Sequence, residues 1–512
     1  MSASYNRADR RPCVREARWE IVRAKKGNSI RTVLAAIACL LGLALASGPD
    51  TLWVTRVDLS ADESGNGIAS SGNVLAVAGH VRTGSSSDLL AVRMDQNGDT
   101  VWTRRYDAGG DEYAMSACLD AGSNILVAGY GQSGARPAGR LRLRDFSPPW
   151  SLPAGEQQVY AIAAKYDAMG EPRWLKTSTG NQAFGIVADS VGNCYLSGGH
   201  SVGDTAYDLW LAKLDSFGDT IWTRTYDFAP LEIGRRLALD GSGNVVACAQ
   251  VGNFDNFDCL TLKLTPDGDT LWARRYDRSA YDNGWGIAVD EDGNVITAGS
   301  TMQDTLSDVV VLKYDSSGTL LWDRVYDFNP DDEAFGAACD SVGDIYVAGY
   351  TGSGYAYDCL LVKLDPTGDE VWTAIYGGPG DDGAIDVACD GNGDPVITGY
   401  VANPASDSLD LLVAKYNAFT GVADSPQAGR NTASPRGSTT AARCVVLSIP
   451  CSGRYDVRLC DLSGRTRQQV YRGHLNKGAH RFSLAGQPAG IYFVRVAAWD
   501  GTVSSHRLVM IK

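Results

Sequence analysis

Between residues 286 and 327 the chain alternates short apolar runs with Gly- and Asx-rich breaks. Gly286-Ile287-Ala288-Val289 turns through Asp290-Glu291-Asp292-Gly293-Asn294 into Val295-Ile296-Thr297-Ala298-Gly299. A third run, Asp308 to Asp315, turns at Ser316-Ser317-Gly318 into Leu320 to Tyr326. Four β-branched, aromatic-rich runs of this length, bounded by turn residues, predict four strands. The phrase recurs along the chain, marked by Trp53, Trp102, Trp174, Trp222, Trp272, Trp322 and Trp372 at intervals of 49, 72, 48, 50, 50 and 50 residues. A fixed period of this size with strand content predicts a closed radial array.

Third-type runs such as Leu89-Leu90-Ala91-Val92 and Cys359-Leu360-Leu361-Val362 are apolar on both faces. An antiparallel strand of that kind needs cover on both sides, which stacked sheets supply. The recurrent tryptophan is then expected at the seam between neighbouring sheets. Gly98, Gly170, Gly218, Gly268, Gly318 and Gly368 keep one place in the third-to-fourth turn, where φ > 0 is expected. Asp95, Asp167, Asp215, Asp315 and Asp365 precede them as acceptors for turn amides. The turn lacks the ligand spacing and terminal glutamate of a calcium loop.

The first unit opens on a fourth-type strand, residues 51–57, and the last ends on a third-type strand, Leu411 to Tyr416. Pairing these two would seal the ring and leave no open edge. The expectation is an all-β, seven-bladed β-propeller over residues 48–417, closed by its N-terminal strand.

The two ends differ from this body. Lys25, Lys26 and Arg31 precede an uncharged apolar run of 15 residues, Thr32 to Ala46, followed by Ser47-Gly48-Pro49. This reads as a secretory signal with a long basic extension over 1–47, cut near Ala46 to Gly48. An uncleaved anchor is the alternative, but the run is short of the ~20 residues that cross a bilayer. A start codon placed too early would explain the extension. Residues 418–440 are a Ser/Thr/Gly/Ala-rich linker, and 441–512 form a compact β module.

Charge sharpens the picture. The net charge of −14 conceals a body, residues 48–440, with 26 positive and 54 negative side chains. That sign argues against a nucleic-acid partner. Cys339 and Cys389 occupy a repeat position held elsewhere by Leu239 and Val289, and Cys259 and Cys359 one held by Leu89 and Val309. Interchange with Leu and Val predicts buried free thiols rather than disulfides.

Candidate chemistry lies in the loops that vary while their scaffold repeats. The blade-to-blade loops carry Asp62, Glu63, Asp111, Glu112, Asp282, Asp332, Glu333, Asp381 and Asp382. A ring of carboxylates there could hold Ca²⁺ or a cationic ligand, or could simply cap turns at a solvated rim. No other cofactor is expected. His80 and His200 follow second-type strands in the first and third blades. The one long insertion, 130–158, alternates Arg136, Arg140, Arg142 and Arg144 with apolar residues and ends at Pro148-Pro149-Trp150; Arg142 and Trp150 suit a lid or docking loop. No nucleophile elbow, metalloprotease helix or phosphate-cradling loop appears. A non-enzymatic binding propeller is therefore the leading reading. The alternative is a secreted lyase or hydrolase acting on extracellular polysaccharide through His80 or His200 with rim carboxylates.

The repeat, as in Gly377-Gly378-Pro379-Gly380-Asp381-Asp382-Gly383 followed by Asp390-Gly391-Asn392-Gly393-Asp394, resembles the seven-bladed β-propeller (SBBP) repeat family of bacterial exported proteins. The tail, with Asp461-Leu462-Ser463-Gly464-Arg465, Pro488-Ala489-Gly490-Ile491-Tyr492 and a basic-apolar ending, resembles the type A sorting domain of the type IX secretion system (T9SS). It departs from that pattern where Arg443-Cys444-Val445-Val446 replaces an Asn-Pro-rich start. The resemblance implies an immunoglobulin-like sandwich, type IX secretion machinery as a partner, and an extracellular or outer-membrane surface location. The family implies no single activity; the variable acidic rim is expected to meet a surface protein, glycan or cation, and the short apolar run leaves no stable membrane span after signal cleavage.

Overall fold

The computed structural model describes residues 49–418 except 50, 60, 85, 133–158, 203–205, 254–255, 280, 304–305, 354–355, 379 and 404–407; beyond these it describes strands between 444 and 510. The expected signal segment, the linker from 419 onward, and the insertion residues Arg142 and Trp150 lie outside the described residues.

The chain is all-β, and its body is a propeller-type wheel. Blade 1 comprises Asp62–Ser71, Val74–Thr83, Ser86–Asp95 and Thr100–Tyr106, paired in that order. The same antiparallel four-strand order repeats over 111–179, 181–226, 231–276, 282–326 and 331–376. Blade 7 is composite: Gly383–Cys389, Pro395–Asn403 and Ser408–Tyr416 take Thr51–Val57 as their fourth strand. That last pairing runs from Thr51 opposite Tyr416 to Val57 opposite Leu411. The innermost strands touch in sequence around the axis, and Gly383–Cys389 returns to Asp62–Ser71. A single parallel bridge, Tyr207 with Leu231, stitches blades 3 and 4 into one continuous sheet.

Between blades lie separate apolar clusters, each drawing on both neighbours. One packs Leu75, Val77 and Leu90 of blade 1 against Val396, Leu411 and Val413 of blade 7. The third strands are buried along both faces, as their apolar runs require. The turn glycines hold φ between +80° and +87° at the six places expected. Asp315 accepts from the Ser317 and Thr319 amides at 2.9 and 2.8 Å. Seven described cysteines are free, and burial pushes their thiols up.

Each tryptophan reaches into the next blade. Trp222 Nε1 donates to Pro266 O at 3.2 Å, Trp272 Nε1 to Ser316 O at 3.1 Å, and Trp322 Nε1 to Pro366 O at 3.3 Å. The lysine nine residues earlier, half-buried as Lys213 and buried as Lys263 and Lys313, shares the acceptor: the three donate to the same carbonyls at 3.3, 3.2 and 3.3 Å. Lys263 and Lys313 also pair with first-turn carboxylates of their own blades, Asp240 at 2.9 Å and Asp290 at 3.0 Å. Trp372 breaks the series: at its junction Lys363 alone takes the corresponding carbonyl, Ala418 O, at 3.0 Å. Its indole N–H is buried without an acceptor.

In the C-terminal part, Cys444–Ile449 pairs with Gly478–Ser483, and Thr466–Leu475, Gly453–Asp461, Gly490–Ala498 and Val503–Met510 form a four-stranded antiparallel sheet.

Two stability measurements follow from the seam. Trp272→Phe loses an indole hydrogen bond and is expected to cost about 1 kcal/mol in urea unfolding. Trp372→Phe, removing a buried N–H that has no acceptor, should cost less than Trp272→Phe. Deleting residues 51–57 bares the edge of Ser408–Tyr416 and should lower the melting temperature and promote aggregation, read by light scattering.

Candidate functional site

The acidic pairs of the blade-to-blade loops sit at the first residues of the innermost strands, and they face inward. Glu63, Asp111, Glu112, Asp282, Asp332 and Asp382 are buried, while Asp62, Glu333 and Asp381 are half-buried. The solvated acidic rim expected from composition is therefore not what these side chains form. The reason is local: each loop leaves amides without a strand partner, and a carboxylate is the compact acceptor that satisfies them. Asp282 accepts from the Arg278 and Ser279 amides at 2.6 and 2.8 Å, Asp332 from Phe328 and Asn329 at 2.7 and 2.9 Å, and Glu63 from Leu59 and Ala61, both at 3.1 Å. Asp382 bridges the Gly378 and Ala402 amides. Glu112 accepts from Ala108 and from the Tyr160 hydroxyl at 2.7 Å.

The preceding acid of each pair ties back to the previous blade. Asp111 accepts from the Ser87 amide at 2.9 Å, and Asp62 from the Leu409 amide at 3.1 Å. Glu333 stands beside Tyr350. Sequence reading missed Glu232, which does the same work in blade 4 by accepting from Phe228 and Ala229. The signal was present, since Glu232 stands at the repeat position of Asp282 and Asp332.

The histidines are also structural in their surroundings. His80 is buried, its Nδ1 3.3 Å from Asn66 Nδ2 and its ring edge-on to Tyr113 at 5.0 Å. Burial pushes its imidazole down to about 4, so it is neutral at physiological pH. His200 Nδ1 lies 2.9 Å from Asn181 Oδ1. Among the described residues, neither histidine joins a group of three metal-ligating side chains.

The feature that sequence reading did not find is the waist of the wheel. All seven innermost strands carry a bulge at the same register, for example between Gly65 and Gly67 and between Gly284 and Gly286. The bulged residues are Asn66, Met115, Phe184, Arg235, Trp285, Phe335 and Ile385, and these with Arg236 line the axial cavity. A bulge re-aims a side chain out of the sheet plane, here toward the axis. Flanking positions are small because adjacent strands nearly touch: a Cβ on Gly286 would come within 2.8 Å of the Gly336–Ala337 backbone. Within one chain, the slot therefore reads as an unrelated residue set among Gly and Ala, which is the clue that was available.

Arginines close the waist. Arg235 lies 4.1 Å from the Trp285 ring centroid and 4.8 Å from that of Phe184, and donates to Gln250. Burial pushes its guanidinium down to about 9. Arg236 crosses the axis from blade 4 to donate to Met115 O at 3.1 Å in blade 2 and to Asn66 O in blade 1, and meets Asp386 of blade 7 at 3.2 Å. The space left is about 50 Å³. That is well below the ~300 Å³ at which small-molecule sites begin.

No protein family profile matches the chain, and no curated protein does. Among solved structures, a gluconolactonase from Xanthomonas campestris aligns at 14% identity and TM-score 0.37, covering 73% of this chain and 96% of its own. Sqt1 from Chaetomium thermophilum aligns at 10% identity and TM-score 0.39 over 69% and 82% of the two chains. A puromycin hydrolase aligns at 15% identity and TM-score 0.39, this chain spanning 54% of its length. Likeness at this level carries nothing about activity.

The caps make a pH prediction. Burial pushes Glu63 and Glu232 up to about 7 from 4.5. The folded state then holds protons that the unfolded chain has released, so stability falls as pH rises from 4.5 to 7 and stays low above it. Glu232→Gln keeps an acceptor for the Phe228 and Ala229 amides without the charge. Relative to the parent it should gain about 1–2 kcal/mol between pH 5 and pH 8, read by urea unfolding at both pH values in the presence of a chelator.

Proposed function

We propose that this chain is an exported, non-enzymatic propeller whose variable loop face binds a surface protein or glycan. The observation that carries this reading is the filled waist. The axis, where a propeller would admit a small substrate, is occupied by bulged aromatic and arginine side chains. The groups named for acid–base work support the same reading, because the carboxylates serve as loop acceptors and His80 is desolvated and neutral. A general base works best with a pKa near the operating pH, which His80 at about 4 does not have, while Glu63 and Glu232, raised to about 7, are buried and spent on loop amides.

Export rests on the basic, apolar N-terminal run and on the resemblance of the tail to type A sorting domains. Each implies passage across a membrane, and their agreement supports both. In this reading the type IX machinery is the partner that recognises the tail, and the mature chain resides outside the cell or on the outer-membrane surface. The 130–158 insertion, with Arg142 and Trp150, supplies the contact side chains on the variable face, Trp150 for stacking and Arg142 for charge.

The mature chain is expected to bind an array of surface glycans or proteins without turning over polysaccharide. The double variant His80→Phe, His200→Phe should bind as the parent does, whereas Arg142→Ala with Trp150→Ala should weaken binding. Polysaccharide cleavage by the parent that disappears in the histidine double variant would establish the hydrolase or lyase reading instead. N-terminal sequencing of exported protein should begin near Gly48.

A further inference from the structure

Behind four of the loop caps lies a second pair of carboxylates, and together they form a repeated triad at blade junctions. Asp88, Asp107 and Glu112 form one, Asp258, Asp277 and Asp282 another, Asp58, Glu63 and Asp410 a third, and Asp308, Asp327 and Asp332 a fourth. In each, ligand oxygens from all three residues lie within 4.8 Å of one another. One acid comes from the start of a third strand, one from the loop, and one is the cap.

Three of the four triads have a cation supplied by the chain. The residue opposite the position two beyond the third-strand acid is Arg105 in blade 1 (opposite Leu90) and Arg275 in blade 4 (opposite Leu260), and these pair with Asp88 and Asp258. In blade 7 the same register places Arg56 opposite Leu412, where it acts on Asp410. In blade 5 the position belongs to Val325, opposite Val310, and its side chain packs against the apolar cluster between blades 4 and 5. Arg278 acts on Asp308 from a distance while engaged with Asp323 at 3.6 Å.

The fourth triad thus gathers three carboxylates without a built-in partner. Its innermost member is the least able to tolerate that. Asp332 is fully buried; one oxygen holds two loop amides, and Oδ1, with Thr351 beside it, has no hydrogen bond of normal geometry. The same kind of unsatisfied buried oxygen recurs at Asp88, Asp258 and Glu63 in the sister triads, where an arginine stands nearby to offset the charge. Burial pushes the carboxyls of Asp308 and Asp332 up, as it does those of Asp88 and Asp258 in the sister triads; there an arginine opposes the rise, whereas at Asp308 and Asp332 neighbouring carboxylates add to it.

The geometry points to a divalent cation of the calcium class held between blades 5 and 6 by Asp308, Asp327 and Asp332, taking the place that an arginine fills at the sister junctions. All-oxygen ligands without His or Cys suit a hard cation. A strand end combined with an exposed loop residue suits the irregular, partly hydrated shell of Ca²⁺ rather than a rigid octahedron. Bound there, the ion would pin the 327–331 loop to two blades at once. This inference stands apart from the binding reading above, since it requires no surface partner.

The test compares the full chain, stripped with EDTA, with two variants by calorimetric Ca²⁺ titration and thermal melting. Asp327→Asn removes one charge at an exposed position, and Val325→Arg installs the sister junctions' cation. The parent is expected to bind Ca²⁺ and to melt higher when loaded, and each variant to bind one equivalent fewer. Val325→Arg should also melt in chelator closer to the loaded parent. A parent that takes up no Ca²⁺ at millimolar concentration, or an Asp327→Asn chain that binds as many equivalents as the parent, overturns the site. Should Val325→Arg fail to fold, Asp327→Asn alone decides.

Discussion

One backbone carbonyl per junction organises this wheel. Pro266 O, Ser316 O and Pro366 O each receive an indole N–H and a lysine ammonium from the preceding blade. The lysine is simultaneously paired with a carboxylate in its own first turn, as Lys263 is with Asp240. Burial raises that carboxyl, but the Lys263 and Asn244 hydrogen bonds outweigh it and hold Asp240 below the usual range. A buried ion pair of this kind is weak evidence for stability by itself, since desolvation opposes it. Its effect here is positional. It fixes the turn of one blade against the turn of the next, so the apolar faces between them meet in one register.

The same constraint marks the exception at closure. Trp372 looks toward a junction where the chain passes from Tyr416 into the linker and the fourth strand arrives from residues 51–57. The corresponding carbonyl, Ala418 O, is in place, but the indole N–H does not bond it and stays without an acceptor. Lys363 recovers part of the pattern by donating to Ala418 O at 3.0 Å. Ladder hydrogen bonds between Thr51–Val57 and Ser408–Tyr416 replace the covalent turn as the closing element.

Function is constrained by the same economy of polar groups. A wheel of β-sheets leaves unpaired amides wherever one blade passes to the next, and this chain satisfies them with acids. Those acids then gather with others from neighbouring strands, and negative charge must be met by arginine or by an ion. At the axis the opposite problem arises, because a ring of seven small-residue strands leaves a hole. One bulged residue per blade fills it, with Arg236 of blade 4 reaching across to the carbonyls of Met115 in blade 2 and Asn66 in blade 1. The recognition proposed above then falls to the face formed by the loops.

The strands, the six turn glycines, the buried thiols and the pairing of the first strand with the last could all be read from the sequence, because each follows from local periodicity or from counting repeats. Periodicity also located the tryptophan at the seam. It did not reveal that a lysine shares its acceptor, since the two meet only on the turn of another blade. Acidity of the blade-to-blade loops was equally plain, yet whether Asp282 or Asp332 faces solvent depends on where the unpaired loop amides point, which is decided when blades stack. The axial residues escaped because a bulge is a slip of register between two strands, invisible in either one alone. Sequence by itself determined the repeating unit and its closure; tertiary packing decided which carboxylates became caps, which side chains filled the axis, and which junction was left without its arginine.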